Sequence, residues 1–202
     1  MANLNTPWGL KPVSYLDGNT WSGQARMYCI FSTDTNAYAI GDPVASDSVN
    51  GSDANGVAAV TLATAGTGNA LRGVIVGAAG VVYGGPGGDP ANPYTTIVPA
   101  TKTKNYYVMV VDDSNVVFEV QEVNSGTFIP ATSVGLNANL SSGTNNGFVS
   151  GWVLNNVGVA SGSTIQMKLL QLVQRKDNAP GLAQRWLVKI NNHELAAGTT
   201  GI

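Results

Sequence analysis

The spacing of apolar and polar residues predicts strands along most of this chain. The clearest signal is Tyr106–Val123, two β-rich runs flanking the polar break Asp112-Asp113-Ser114-Asn115. The first run, Tyr106 to Val111, is apolar on both alternating faces, as a strand covered on both sides would be. In the second, Val116, Phe118 and Val120 point one way while Glu119 and Gln121 point the other, which predicts one buried and one wet face. The break is short enough to fold the second run back, so the stretch reads as a hairpin at the centre of the core. A second hairpin is predicted near the C-terminus. There Ile165, Met167 and Leu169 alternate with Gln166 and Lys168. After the loop QRKDNAPG, Trp186, Val188 and Ile190 alternate with Arg185 and Lys189.

Shorter strands are predicted at Arg26–Phe31, at Ala37–Ile40 resuming at Val44-Ala45, at Val57–Thr64, at Leu71–Ala78 and at Phe148–Leu154. Gly73 and Gly77 imply a bulge or a close backbone approach within their strand. Residues 46–56, 84–93 and 131–147 read as loops, the second from its four glycines and three prolines. No stretch has the pattern of an amphipathic helix longer than two turns. Strands separated by Gly, Pro and Asn turns predict an all-β fold, a jelly-roll or sandwich-like β domain. Residues 1–24 are different. Pro7 and Pro12 exclude a helix interior, and Gly9, Gly18 and Gly23 interrupt a strand. Yet Trp8, Leu10, Tyr15 and Trp21 are too apolar for a disordered tail. The expected organisation is an extended N-terminal arm (1–24), a β domain (25–195) and a C-terminal tail (196–202). The arm covers either its own sheet or a neighbouring subunit, and on the second reading Trp8, Leu10, Tyr15 and Trp21 are the subunit contacts.

Composition narrows the function more than the fold. Charged residues make up only 11% of the chain, against roughly 25% in an ordinary soluble domain. A surface so poor in charge suits a chain largely covered in an assembly. The formal net charge is −2. The densest basic positions are Lys102 with Lys104 and Arg175 with Lys176, too sparse a footprint for a nucleic-acid partner. No apolar run approaches the ~20 residues of a membrane span, and the N-terminus lacks the pattern of a signal peptide. Cys29 is alone, so it forms no internal disulfide, and its setting in MYCIF predicts a buried, inert thiol.

Candidate chemistry is thin. His193 is the one histidine, with no nucleophile elbow to serve; it is expected to be a surface or turn residue bonded to the backbone. Asp47, Asn50 and Asp53 lack the spacing of a calcium loop. Asp112 and Asp113 sit on a turn, and Glu119 and Glu122 fall on opposite faces of a regular strand, so neither pair faces across a cleft as a glycosidase requires. All four carboxylates are expected to be turn and surface groups. Trp8, Trp21, Trp152 and Trp186 could offer stacking faces to a carbohydrate, although Trp186 at an alternating strand position reads as core. An enzyme is not expected, nor a cofactor or metal.

Three segments carry a resemblance. ANLNTPWGLKPVSYLDGNTWSG at the start, VDDSNVVFEVQ (Val111 to Gln121) in the middle and WLVKINNHEL (Trp186 to Leu195) near the end resemble the corresponding motifs of a family of tailed-bacteriophage virion proteins. Gly41-Asp42-Pro43-Val44 also fits. Ser114-Asn115 departs from the family's usual Pro-Asp turn. The resemblance implies a structural head protein, a capsid cement (decoration) protein on the capsid exterior. Made in the bacterial host cytoplasm, it would contact the major capsid protein and further copies of itself, as a homodimer or homotrimer. A tail or head–tail connection protein and a carbohydrate-binding β-sandwich are the alternatives. On this reading the arm would be dispensable for folding of the β domain but needed for attachment.

Overall fold

The computed structural model describes residues 3–79, 97–198 and 200–201. Its strands are β1 (Lys11–Tyr15), β2 (Arg26–Ile30), β3 (Tyr38–Ala39), β4 (Pro43–Ser46), β5 (Val60–Leu62), β6 (Gly73–Ala79), β7 (Ile97–Val98), β8 (Tyr106–Val111), β9 (Val116–Gln121), β10 (Asn137–Ala138), β11 (Leu140–Ser141), β12 (Val153–Leu154), β13 (Met167–Leu172) and β14 (Arg185–Ile190). A single 3-10 turn, Ala131–Ser133, is the helical element among the described residues. The all-β expectation holds: the strands form antiparallel sheets in a sandwich-like arrangement. The loop expected at 84–93 lies outside the described residues.

One five-stranded sheet runs β1-β9-β14-β13-β10 and the other β2-β8-β6-β4-β5. The second sheet curls. Cys29 in β2 donates its N–H to the Ala58 carbonyl at 2.9 Å and bridges Ala59, just before β5. The edges of the sheet therefore meet around an inner core of Tyr38, Val44, Val60, Ile75, Val108 and Val110. A larger core includes Phe118, Val120, Trp186, Val188, Met167 and Leu169 of the first sheet, with Val74 and Val111 of the second. Full burial of such a side chain stabilises by about 1.5–3 kcal/mol, more than an exposed ion pair contributes. The inner cluster fills the curl of the second sheet, and the larger cluster joins the two sheets.

The C-terminal hairpin forms as expected, with Met167 opposite Ile190 and Leu172 opposite Trp186. The central one does not. β8 lies between β2 and β6, and β9 lies between β1 and β14. Each strand therefore has both edges occupied by partners other than its sequence neighbour. Asp112–Asn115 is a corner that carries the chain from one sheet to the other. The wet face expected on β9 is also absent, because Glu119 and Gln121 are buried. Arg175 covers Glu119 through paired hydrogen bonds of 3.0 and 2.8 Å. Gln121 exchanges hydrogen bonds with the N-terminal segment, accepting from the Thr6 N–H at 3.0 Å and donating to Asn5 Oδ1 at 2.7 Å.

Of the two readings of the N-terminal arm, it lies on its own sheet, and its segment Lys11–Tyr15 joins that sheet as a strand. β1 pairs with β9, Lys11 opposite Glu119 and Tyr15 opposite Val116. Pro12, which has no N–H to donate, is tolerated because β1 is the last strand of its sheet. Ahead of it, Leu10 donates its N–H to the Gly41 carbonyl at 3.0 Å. This crossing requires glycine on both sides. Gly9 has φ +72°, and a Cβ there would lie 2.3 Å from the Gly41 oxygen. Gly41 has φ +94°, and its Cβ would meet the Trp8 oxygen at the same distance. At the other expected glycine positions, the register shifts between Ile75 and Gly77, and a Cβ on Gly73 would collide with the Val111 carbonyl. The C-terminal end is also tied down, as Gly201 donates its N–H to Ser161 O.

Candidate functional site

The four residues expected at a subunit contact are mostly committed to their own chain. Leu10 is only 1% exposed and belongs to the large core, so it has no surface to offer. Tyr15 and Trp21 are half-buried and pack against that core. Trp8 is half-buried under Arg185, whose guanidinium lies 4.1 Å from the ring centroid. Trp152 and Trp186 are buried and present no stacking face to a saccharide.

Several polar groups expected at the surface are internal. His193 is 4% exposed, not a surface residue, although it does bond the backbone: its Nδ1 accepts the Leu195 N–H at 2.9 Å. Its Nε2 has no hydrogen-bond partner among the described residues. Burial, reinforced by the Arg72 charge, holds its pKa below the ordinary value. Glu122 is buried and accepts hydrogen bonds from Gln184 Nε2, the Ile129 N–H and Trp186 Nε1. Burial pushes its carboxyl upward, against the lowering effect of those bonds. Asp112 is buried at the corner. It accepts the Tyr28 hydroxyl at 2.7 Å and pairs with Arg26 at 3.4 Å. Burial and that hydrogen bond together push Tyr28 up to about 12. Lys102, read as part of a basic pair, has its side chain inside, donating to the Asp34 and Asn36 carbonyls at 2.6 and 2.7 Å. Cys29 is buried, and its thiol is pushed up to about 11, chiefly by burial.

Asp47 and Asp53 shape their loop. Asp47 accepts the Val49 and Asn50 N–H groups, and Asp53 accepts those of Asn55 and Val57. Tyr107 donates its hydroxyl to Asp53 at 2.6 Å. Among the described residues no three His, Cys, Asp or Glu side chains converge as metal ligands would.

Among the described residues two surface features stand out, and neither is apparent from the alternation pattern. The first is a pair of clefts at the β8–β9 corner. One, of about 410 Å³, is lined by Tyr15, Leu16, Asp17, Asp113 and Asn115. The other, of about 360 Å³, is lined by Tyr15, Gln24, Ala25, Arg26, Asp112 and Asp113. Tyr15 is the one expected contact residue found here. The second feature is a set of apolar tips. Val49, Phe148 and Val157 are 89%, 69% and 69% exposed. Each sits on a turn closed by an Asx side chain two residues earlier. Asp47 accepts the Val49 N–H at 2.9 Å, Asn146 that of Phe148 at 3.0 Å, and Asn155 that of Val157 at 2.9 Å. A glycine with positive φ completes each turn: Gly51, Gly147 and Gly158. Such turns are fixed by local chemistry and need no core contact from the tip. The strings DSVNG, NNGF and NNVG carry this signal, since an apolar residue in an Asx-Gly turn has no core to reach.

No family model, curated protein or solved structure matches the chain.

Proposed function

We propose that this chain is a structural protein of a bacteriophage head, a cement that binds the outside of the major-capsid lattice and the neighbouring copies of itself. The observation that carries the reading is the set of preformed apolar tips, Val49, Phe148 and Val157, on a chain of which only 11% is charged. An apolar side chain that the fold holds rigid and leaves in water gains free energy when a second protein covers it. Rigid display lowers the ordering cost of that contact. The motif resemblance at the start, middle and end of the chain supports the assignment to a virion. A lattice would multiply a modest contact at each copy into durable attachment.

The test is cosedimentation of the purified chain with shells assembled from the major capsid protein of the phage that encodes it. Wild-type protein is expected to sediment with the shells, and a Val49→Ser, Phe148→Ser, Val157→Ser triple variant that melts normally is expected to stay in the supernatant. Exclusive recovery with purified tails would point to the head–tail alternative and overturn the cement role. Equal binding by the triple variant would remove the tips from it.

A further inference from the structure

We propose that the paired cleft at the β8–β9 corner is a binding site for a neutral saccharide. The two cavities, about 410 and 360 Å³, share Tyr15 and Asp113 as walls. Each falls within the roughly 300–1,000 Å³ of small-molecule sites. The lining mixes acceptors and donors: the carboxylates of Asp17 and Asp113 against the guanidinium of Arg26 and the amides of Gln24 and Asn115. A sugar hydroxyl both donates and accepts, so it needs such a mixture. Tyr15, common to both cavities, supplies the aromatic wall against which the C–H face of a pyranose packs.

The polar walls are held in place before any ligand arrives. Tyr15 donates its hydroxyl to Gln24 Oε1 at 2.9 Å, and Gln24 Nε2 donates to Ser22 Oγ at 2.7 Å. Asp17 accepts the Asn19 N–H at 2.9 Å and its side-chain amide at 2.8 Å. Asp113 Oδ1 accepts the Asn115 N–H at 2.8 Å. Each carboxylate retains lone pairs beyond these bonds, and the Arg26 side chain is 74% exposed. Groups fixed in this way lose little freedom on binding. A basic side chain from another protein is the rival occupant. It fits less well, because Arg26 stands in the same lining and already pairs with Asp112. A uronic acid is disfavoured by Asp17 and Asp113, which would face its carboxylate.

This site stands apart from the assembly reading and is tested separately. The full chain is titrated calorimetrically with cellobiose, maltose, lactose, chitobiose, digalacturonate and methylguanidinium. At least one neutral disaccharide is expected to bind saturably. Asp113→Ala and Arg26→Ala, both at exposed positions, are expected to weaken it at least about tenfold, with a single cooperative melting transition retained and with Val49→Ser binding as wild type does. Digalacturonate is expected to bind more weakly than the best neutral sugar. The proposal is overturned if no neutral sugar saturates by about 50 mM, if both cleft variants bind like wild type, or if digalacturonate binds better. It is equally overturned if methylguanidinium alone binds, which would make the cleft a seat for a basic side chain.

Discussion

Glu122 has no solvent access, and three N–H groups converge on it from Ile129, Gln184 and Trp186. Truncation to Ala would strand buried donors, each costing about 1–3 kcal/mol. Glu122→Ala is therefore expected to destabilise the fold by about 3 kcal/mol or more in urea melts. Its carboxyl is raised by burial, which sets the sign of the pH effect. A raised acid favours the folded state when protonated, so that contribution is full below the unfolded value and is lost as pH rises through the folded one. The wild-type advantage over the Ala variant is expected to narrow with rising pH; an advantage that widens would contradict burial as the dominant cause. His193 runs the other way. Its depressed pKa leaves stability intact above its ordinary value and removes it as pH falls through the folded one. Protonating Nδ1 would also break the bond from the Leu195 N–H. With one histidine in the chain, its ring resonances can be followed by NMR without ambiguity. They are expected to titrate below pH 6.5, the ordinary histidine value, together with an acid-side loss of stability that His193→Gln flattens. The sequence revealed Phe118, Trp186 and Cys29 as core because an apolar residue in a strand has one destination. It did not reveal that Glu119, Gln121 and Glu122 are buried. Alternation reports which face a side chain takes, while the groups that cover it come from elsewhere in the chain: Arg175 over Glu119, residues 5–6 over Gln121, and Ile129, Gln184 and Trp186 around Glu122.

At the level of elements, the two hairpin expectations had opposite outcomes for one physical reason. β13 and β14 find each other, and the strand pairing is as local as the pattern suggests. For β8 and β9 a four-residue break can equally turn a hairpin or a corner, and the choice falls to the strands that compete for each edge. β2 and β6 take β8; β1 and β14 take β9. Periodicity marked neither feature: the tips are signalled by Asx-Gly turn strings rather than by alternation, with Phe148 read instead as the start of a strand, and the cleft exists only once residues 15–26 meet residues 112–115. The integral role of β1 has a sharp consequence. Deleting residues 2–16 would expose one edge of β9 and remove Leu10 from the core. The truncated chain is expected to lose cooperative thermal unfolding; retention of a wild-type transition would restore the idea of a dispensable arm. Gly9→Ala tests the same junction at one atom. With φ +72° and backbone oxygen 2.3 Å from the added Cβ, it is expected to cost about 2 kcal/mol or more, the scale of left-handed strain compounded by a clash.

At the scale of the molecule, the surface combines few charges with fixed apolar tips, and the two properties should act together. Coulombic contacts between exposed groups are screened as salt rises, whereas burial of apolar surface is not. The tips lie on turns fixed by Asp47, Asn146 and Asn155, so their display survives any ionic strength that leaves those hydrogen bonds intact. An attachment made through Val49, Phe148 and Val157 is therefore expected to change less than about threefold between about 50 and 500 mM NaCl. The same shells and cosedimentation assay provide the measurement. A loss of about a hundredfold over that range would assign the attachment to charged residues such as Arg26 and Lys11, and Phe148→Asp would then be no more harmful than Phe148→Ser. Salt tolerance combined with a loss on Phe148→Asp would instead locate the binding energy in the apolar tips. Asp introduces a charge whose desolvation the interface cannot repay without a partner, so its effect should exceed that of Ser by about tenfold or more.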